Sequence, residues 1–246
     1  SFKPFLLPLR EREADDFVVR FRPECDGDFD GHLHYKHLYD FDFDDVAIHS
    51  RFFRYEHRYY LSMQPEDTSH APLLIAYSWG CREAECLARS AHAHYDPSSV
   101  AYAVWFALTM MLAPCRATLI HSSCIVCHGE AVLFLGESGT GKSTHTRLWR
   151  QHVEGSHLLN DDCPVIAVED GRVVVYGSPW SGKTPCYRPE RFPLRAIVRL
   201  SQAPKNLMRP LHTIAALAAL QPSFPPALAY DEQFSDLLLG FLSTVI

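Results

Sequence analysis

The sequence predicts an α/β protein in which a mixed sheet carries a phosphate-binding loop (P-loop) and a β-rich region precedes it. Three observations carry this prediction. Six short apolar runs lie between residues 117 and 200, each of strand length and bounded by turn residues. One of them, AVLFL (131–135), leads directly into GESGTGKS (136–143) and then into the helix-forming stretch KSTHTRLWRQH (142–152). Residues 1–95 have another texture, aromatic and β-branched runs between acidic turns.

Composition narrows the function classes. The chain has 246 residues, 47% hydrophobic and 21% charged, which fits a globular protein of one large or two small domains. Its net charge of −6, with no basic run, leaves no electrostatic footprint for a nucleic-acid partner. The longest apolar run, AYAVWFALTMMLA (101–113), is too short to cross a bilayer and reads as a core helix, so no membrane partner is expected. The N-terminal SFKPFLLPLREREADD lacks the long apolar stretch of a signal peptide, and a cytoplasmic location is expected. Eight cysteines without framework spacing read as reduced thiols. Cys124-x-x-Cys127-His128 matches the letters of a c-type haem attachment site but falls in a predicted buried strand, so it reads as core.

In chain order, FVVRF (17–21), DVAIHSRFF (45–53), HRYYLSM (57–63) and PLLIAYSW (72–79) are predicted strands. DGDFDG (26–31) is a solvated acidic loop, because a calcium loop would need a glutamate where His37 stands. His32, His34 and His37 are assigned to surface or aromatic packing rather than to a metal. Asp96 and Pro97 open a helix that stops near Pro114, with aspartate as N-cap and proline at the first helical position. The organisational boundary is placed here, giving residues 1–95 and 96–246. ATLIH (117–121), CIVCH (124–128), AVLFL, PVIAV (164–168), RVVVY (172–176) and AIVRL (196–200) are strands of one sheet. Their short separations imply hairpins, hence a mixed sheet. Residues 207–220 and 231–245 have helical spacing.

Two stretches satisfy G-x-x-x-x-G-K-[ST]. In the first, Gly136, Gly139 and Gly141 let the backbone wrap phosphate oxygens, and the helix that follows points its N-terminal amides at the anion. Gly136, Glu137, Ser138, Gly139, Thr140, Gly141, Lys142, Ser143 and Thr144 are therefore the predicted nucleotide-binding residues, with Lys142 on the β and γ phosphates and Ser143 on Mg²⁺. The second, GSPWSGKT (177–184), follows a strand, but Pro185, Pro189 and Pro193 prevent a helix and Pro179 removes an amide from the loop. It is read as a strand-end loop carrying Trp180, Ser181, Gly182 and Lys183, not as a second phosphate loop.

HLLNDDCPVIAV (157–168) places Asp161 and Asp162 at the end of an apolar segment, Asp161 lying 19 positions after Lys142. Phosphoryl transfer needs a carboxylate for the metal and another group to orient or deprotonate the acceptor hydroxyl. Adjacent strand residues point opposite ways, so the two carboxylates cannot share one role unless the backbone turns. His121 lies 15 residues before Gly136.

His121, GESGTGKS and LLNDD together resemble the catalytic core of the HPr kinase/phosphorylase family, which is related to the phosphoenolpyruvate carboxykinases. The resemblance covers about residues 115–200 and implies a mixed-sheet P-loop kinase core using ATP and Mg²⁺. Carried over, Asp161 would be the general base that takes the proton from an acceptor serine, with His121 beside it. Lys142 would hold the β and γ phosphates, and Ser143 with Asp162 the Mg²⁺. This sequence departs from the family pattern in lacking a metal-binding glutamate near RVVVYGSPWSGK, which puts the reverse phosphorylase activity in doubt. Here it looks more like the short bacterial members of the family, and Lys183 would bring positive charge where that carboxylate is expected.

The function this implies is ATP-dependent transfer of a γ-phosphoryl group to a hydroxyl acceptor, a serine on a protein or peptide first among them. A kinase of a free small molecule such as serine and a non-catalytic nucleotide-binding regulator remain open alternatives. So do the oligomeric state and the role of residues 1–95.

Overall fold

The computed structural model describes residues 13, 14, 16–22, 35–43, 47–88, 93–182 and 184–245. The acidic loop 26–31, His32, His34 and Lys183 lie outside the described residues. The fold is mixed α/β with two mixed sheets, divided between two compact units and β-rich in its N-terminal part.

The first unit comprises Glu11–Cys115 and Ala229–Phe234. Its strands are β1 (Val18–Arg22), β2 (Lys36–Phe43), β3 (Ile48–Tyr55), β4 (Arg58–Pro65), β5 (Leu73–Ser78) and β6 (Glu83–Ala88). They are ordered β1-β6-β5-β4-β3-β2, antiparallel except for the parallel β1–β6 pair. β2 and β6 are additions to the strands expected from sequence. Their charged residues alternate with apolar ones and hide the hydrophobic signal, yet in β6 the period-2 burial is plain: Ala84, Cys86 and Ala88 are buried.

Helix α1 (Pro97–Leu112) is capped as expected, the Asp96 side chain accepting from Ser99 N at 2.8 Å. It continues through a 3₁₀ turn at Ala113–Cys115. The combined 19-residue stretch is longer than the apolar run suggests, long and apolar enough to cross a membrane by length and composition, and half of its apolar part is buried here. Ala103, Phe106, Ala107, Met110 and Met111 recur at helical spacing, all buried, and α1 packs on β5 and β6. Phe106 meets Phe52 edge-on at 5.2 Å. This burial assigns the helix to the first unit, so the compact units divide between Cys115 and Arg116 rather than between 95 and 96.

Asp231, 2% exposed, fastens the returning segment 229–234 into this unit. Tyr59 Oη donates to it at 2.9 Å and Arg54 Nη1 at 3.2 Å. Burial, reinforced by that carboxylate, pushes the Tyr59 phenol up to about 12.

The second unit contains Arg116–Leu228 and Ser235–Ile246. Its elements are β7 (Ala117–Leu119), β8 (Ser122–Cys127), β9 (Glu130–Leu135), α2 (Lys142–His152), β10 (His157–Asp162), β11 (Val165–Glu169), β12 (Arg172–Tyr176), β13 (Arg191–Arg199), α3 (Thr213–Leu220) and most of α4 (Glu232–Val245). The strand order is β10-β8-β9-β13-β12-β11-β7, with β9–β13 the parallel pair. β9 is covered on both faces. Ala131, Leu133 and Leu135 join one core cluster with Phe241 and Leu242 of α4, while Val132 and Phe134 join another with Trp149 of α2. That is why AVLFL reads as an unbroken apolar run. Cys124 of β8 is fully buried in the first of these clusters, but Cys127 is only half-buried and His128 stands exposed in the turn that follows β8.

The predicted helix 207–220 is shorter than expected. It begins only at Thr213, and residues 207–212 have no regular structure. Pro210 explains this, since it lacks an amide donor and disfavours helical backbone at Arg209.

Replacing Tyr59 by Phe removes one donor from a buried carboxylate. It should lower the stability of the first unit by about 1.5–3 kcal/mol, read as a lower urea midpoint.

Candidate functional site

The first glycine loop has the expected context, with β9 before it and α2 after it. Gly136, Gly139 and Gly141 take φ values of 150°, 82° and 106°, where a side chain would be strained. Gly141 is the N-cap of α2 and offers no side-chain cap, so the first-turn amides of this helix are left to an outside acceptor.

Lys142 folds back over the loop. Its Nζ donates to Gly136 O at 2.7 Å, Glu137 O at 3.3 Å and His121 Nε2 at 3.0 Å. Desolvation lowers the pKa of this amine, and the nearby Asp162 and Asp161 carboxylates oppose the shift. An ammonium group has donors only, so His121 Nε2 must accept from it. The imidazole proton then sits on Nδ1, which lies 3.4 Å from Asp162 Oδ1. The backbone holds His121 in place, its amide donating to Ser223 O at 2.7 Å.

The two aspartates occupy different surroundings. Asp161 is 3% exposed and accepts three hydrogen bonds: from Ser123 Oγ at 2.6 Å, Ser143 Oγ at 3.1 Å and Thr184 N at 3.1 Å. The Asp162 side chain is 40% exposed and faces His121. The resemblance puts His121 beside Asp161; the structure puts it beside Asp162.

Strand alternation causes this divergence, both residues lying in β10 opposite Ser123 and Ser122 of β8. Asn160 is fully buried, and its Oδ1 accepts from Asp162 N at 3.0 Å and Cys163 N at 2.8 Å, turning the chain as it leaves β10. Its Nδ2 donates to Trp180 O at 2.9 Å and Ser178 Oγ at 3.2 Å.

These bonds fasten the second glycine loop to β10. Gly182 N donates to Asp161 O at 2.8 Å, and a Cβ on Gly182 would come within 2.7 Å of that same oxygen. No helix follows: residues 184–190 are irregular and lead into β13. GSPWSGKT therefore differs from GESGTGKS as its prolines predict, and its backbone supplies a donor to Asp161.

Lys142, Ser143, Asp161, Asp162 and His121 thus meet at one end of the first glycine loop. Ser123 and Asn160, both buried, and Thr184 bond to members of this cluster, and sequence reasoning did not find them. Ser123 is brought to Asp161 by the antiparallel register of β8 and β10, a signal that exists only once the strands are paired. Among the described residues no three or more His, Cys, Asp and Glu side chains converge as a metal cluster.

Compared with known protein families and with curated proteins, the chain matches neither a family model nor a curated sequence.

Asn160→Ala removes the bonds that hold the β10 turn and the second loop together. It should lower stability by about 2–4 kcal/mol, measured by urea unfolding, because the buried groups it leaves would have no replacement partner.

Proposed function

We propose that the chain is an HPr kinase-like, ATP-dependent phosphotransferase that moves the γ-phosphoryl group to a hydroxyl, with a serine on a protein or peptide as the leading acceptor. The observation that carries this proposal is the meeting of Lys142, Ser143 and both carboxylates at one end of a strand–loop–helix phosphate cradle. On this reading the second unit is a P-loop kinase core.

The loop amides from Gly136 to Thr144 would hold the phosphates, and Lys142 would leave its carbonyl partners to neutralise the β and γ groups. The donor set suits Mg²⁺, which takes hard oxygen ligands and one or two carboxylates beside phosphate. Ser143 Oγ and Asp161, already 3.1 Å apart, would hold it, with Asp162 as the other carboxylate in reach. When bound, the ion would offset the negative charge of the phosphates.

The geometry favours a division of labour opposite to the one carried over from the family. Asp161 is buried and engaged by three donors, which leaves an acceptor hydroxyl little approach. Asp162 is open and held by His121. In the proposed reaction Asp162 takes the acceptor's proton while the acceptor oxygen bonds to the γ-phosphorus. The bond from that phosphorus to the β–γ bridging oxygen breaks, and ADP leaves. Lys183 is proposed to neutralise charge during this transfer, and unchanged kinetics in Lys183→Ala would remove it from the mechanism.

Labelled ATP with Mg²⁺ is incubated with free serine, serine peptides and cell extract. Label on a protein or peptide is the expected result. Label on free serine alone identifies a small-molecule kinase, and bound ATP without transfer identifies a nucleotide-binding regulator.

Asp162→Asn should still bind ATP and transfer at least about 100-fold more slowly. Transfer at the parent rate would overturn its assignment as base. Lys142→Ala should weaken ATP binding by about tenfold or more, and normal binding would overturn the phosphate loop.

A further inference from the structure

A second surface adjoins the phosphate loop. A groove is lined by Gly139, Gly141, Thr144 and His145, and it continues along β13 and residues 201–211. None of Lys142, Asp161, Asp162 and His121 lines it. The segment 201–211 is moored to the loop, because Gln202 Nε2 donates to Gly139 O at 3.2 Å. Just before it, Leu200 N donates to Leu135 O at 2.8 Å, at the residue where β9 gives way to the loop. Leu207 and Met208 stand in this segment with 85% and 90% exposure. Single exposed apolar residues are ordinary, but here two adjacent ones line a groove continuous with an anion cradle.

We propose that this groove binds the nucleoside end of a nucleoside triphosphate, its base packed against Leu207 and Met208. The proposal rests on reading GESGTGKS as a phosphate loop. Lys142 and the carboxylates mark the γ-phosphate end of that loop. The ribose and base are joined through the α-phosphate and must leave from elsewhere on the loop. Thr144 and His145, which follow Ser143 in the first turn of α2, lead into the groove. A base has apolar faces and a polar edge. The apolar side chains match the faces, and the irregular backbone of residues 201–211 leaves amides and carbonyls for the edge.

The test is calorimetric titration of the full chain with ATP and, separately, with inorganic tripolyphosphate, both with Mg²⁺. ATP should bind about tenfold or more tightly than tripolyphosphate. The double substitution Leu207→Asp and Met208→Asp should weaken ATP by about tenfold and leave tripolyphosphate within about twofold. Leu207→Ala with Met208→Ala should move ATP in the same direction by less. Equal affinity of the parent for both ligands, or an unchanged ATP-to-tripolyphosphate ratio in the aspartate variant, overturns the groove alone. Absence of tripolyphosphate binding to the parent overturns the phosphate loop, and the groove with it. If sedimentation shows that the aspartate variant loses an oligomer while the affinity ratio is kept, the apolar pair belongs to a contact between copies and the proposal fails.

Discussion

Burying a carboxylate in a protein interior is unfavourable unless donors surround it, and Asp161 collects its donors from three separate parts of the chain. Ser123 comes from β8, Ser143 from the first turn of α2, and Thr184 N from the loop after β12. Each bond ties one segment to β10. The start of α2, and with it the end of the glycine loop, is thereby referenced to the sheet. A mispaired β8–β10 register would take Ser123 away and leave a buried charge short of a partner. The electrostatic demand of one side chain thus helps to align a strand pair, a helix and a loop.

Asn160 adds the geometry that a charge alone cannot impose. Its side chain imitates backbone on both sides, accepting from Asp162 N and Cys163 N and donating toward Ser178 and Trp180. It turns the chain at the end of β10, while the alternation of that strand sends the neighbouring aspartates into opposite environments, one interior and one open. This is the physical basis for giving them different chemical roles. It also explains the second glycine motif. GSPWSGKT has the spacing of a phosphate loop, but without a helix after it its amides turn inward to Asp161.

Much of this is legible in the sequence. The succession of strand, glycine loop and helix follows from AVLFL, three glycines and the absence of proline in 142–152. The failure of the second motif follows from Pro185 and Pro189, which are local steric facts. The helix cap at Asp96 was equally local. The strands β2 and β6 were less visible, because charge alternating with small or aromatic residues weakens a hydrophobic pattern. The helix expected from residue 207 starts only at Thr213, because Pro210 overrides the apolar spacing around it.

The sequence alone determined those features whose cause lies within a few residues: glycine conformations, proline interruptions, caps and the period-2 runs of the sheet. Tertiary structure decided which aspartate is buried, which one faces His121, that Ser123 and Thr184 serve Asp161, and that α1 belongs with the N-terminal strands. These outcomes depend on strand register and on the closing of distant segments around one charge. Sequence spacing does not encode which partners will share a buried site, because hydrogen-bond satisfaction is settled only when the whole environment of the group is assembled.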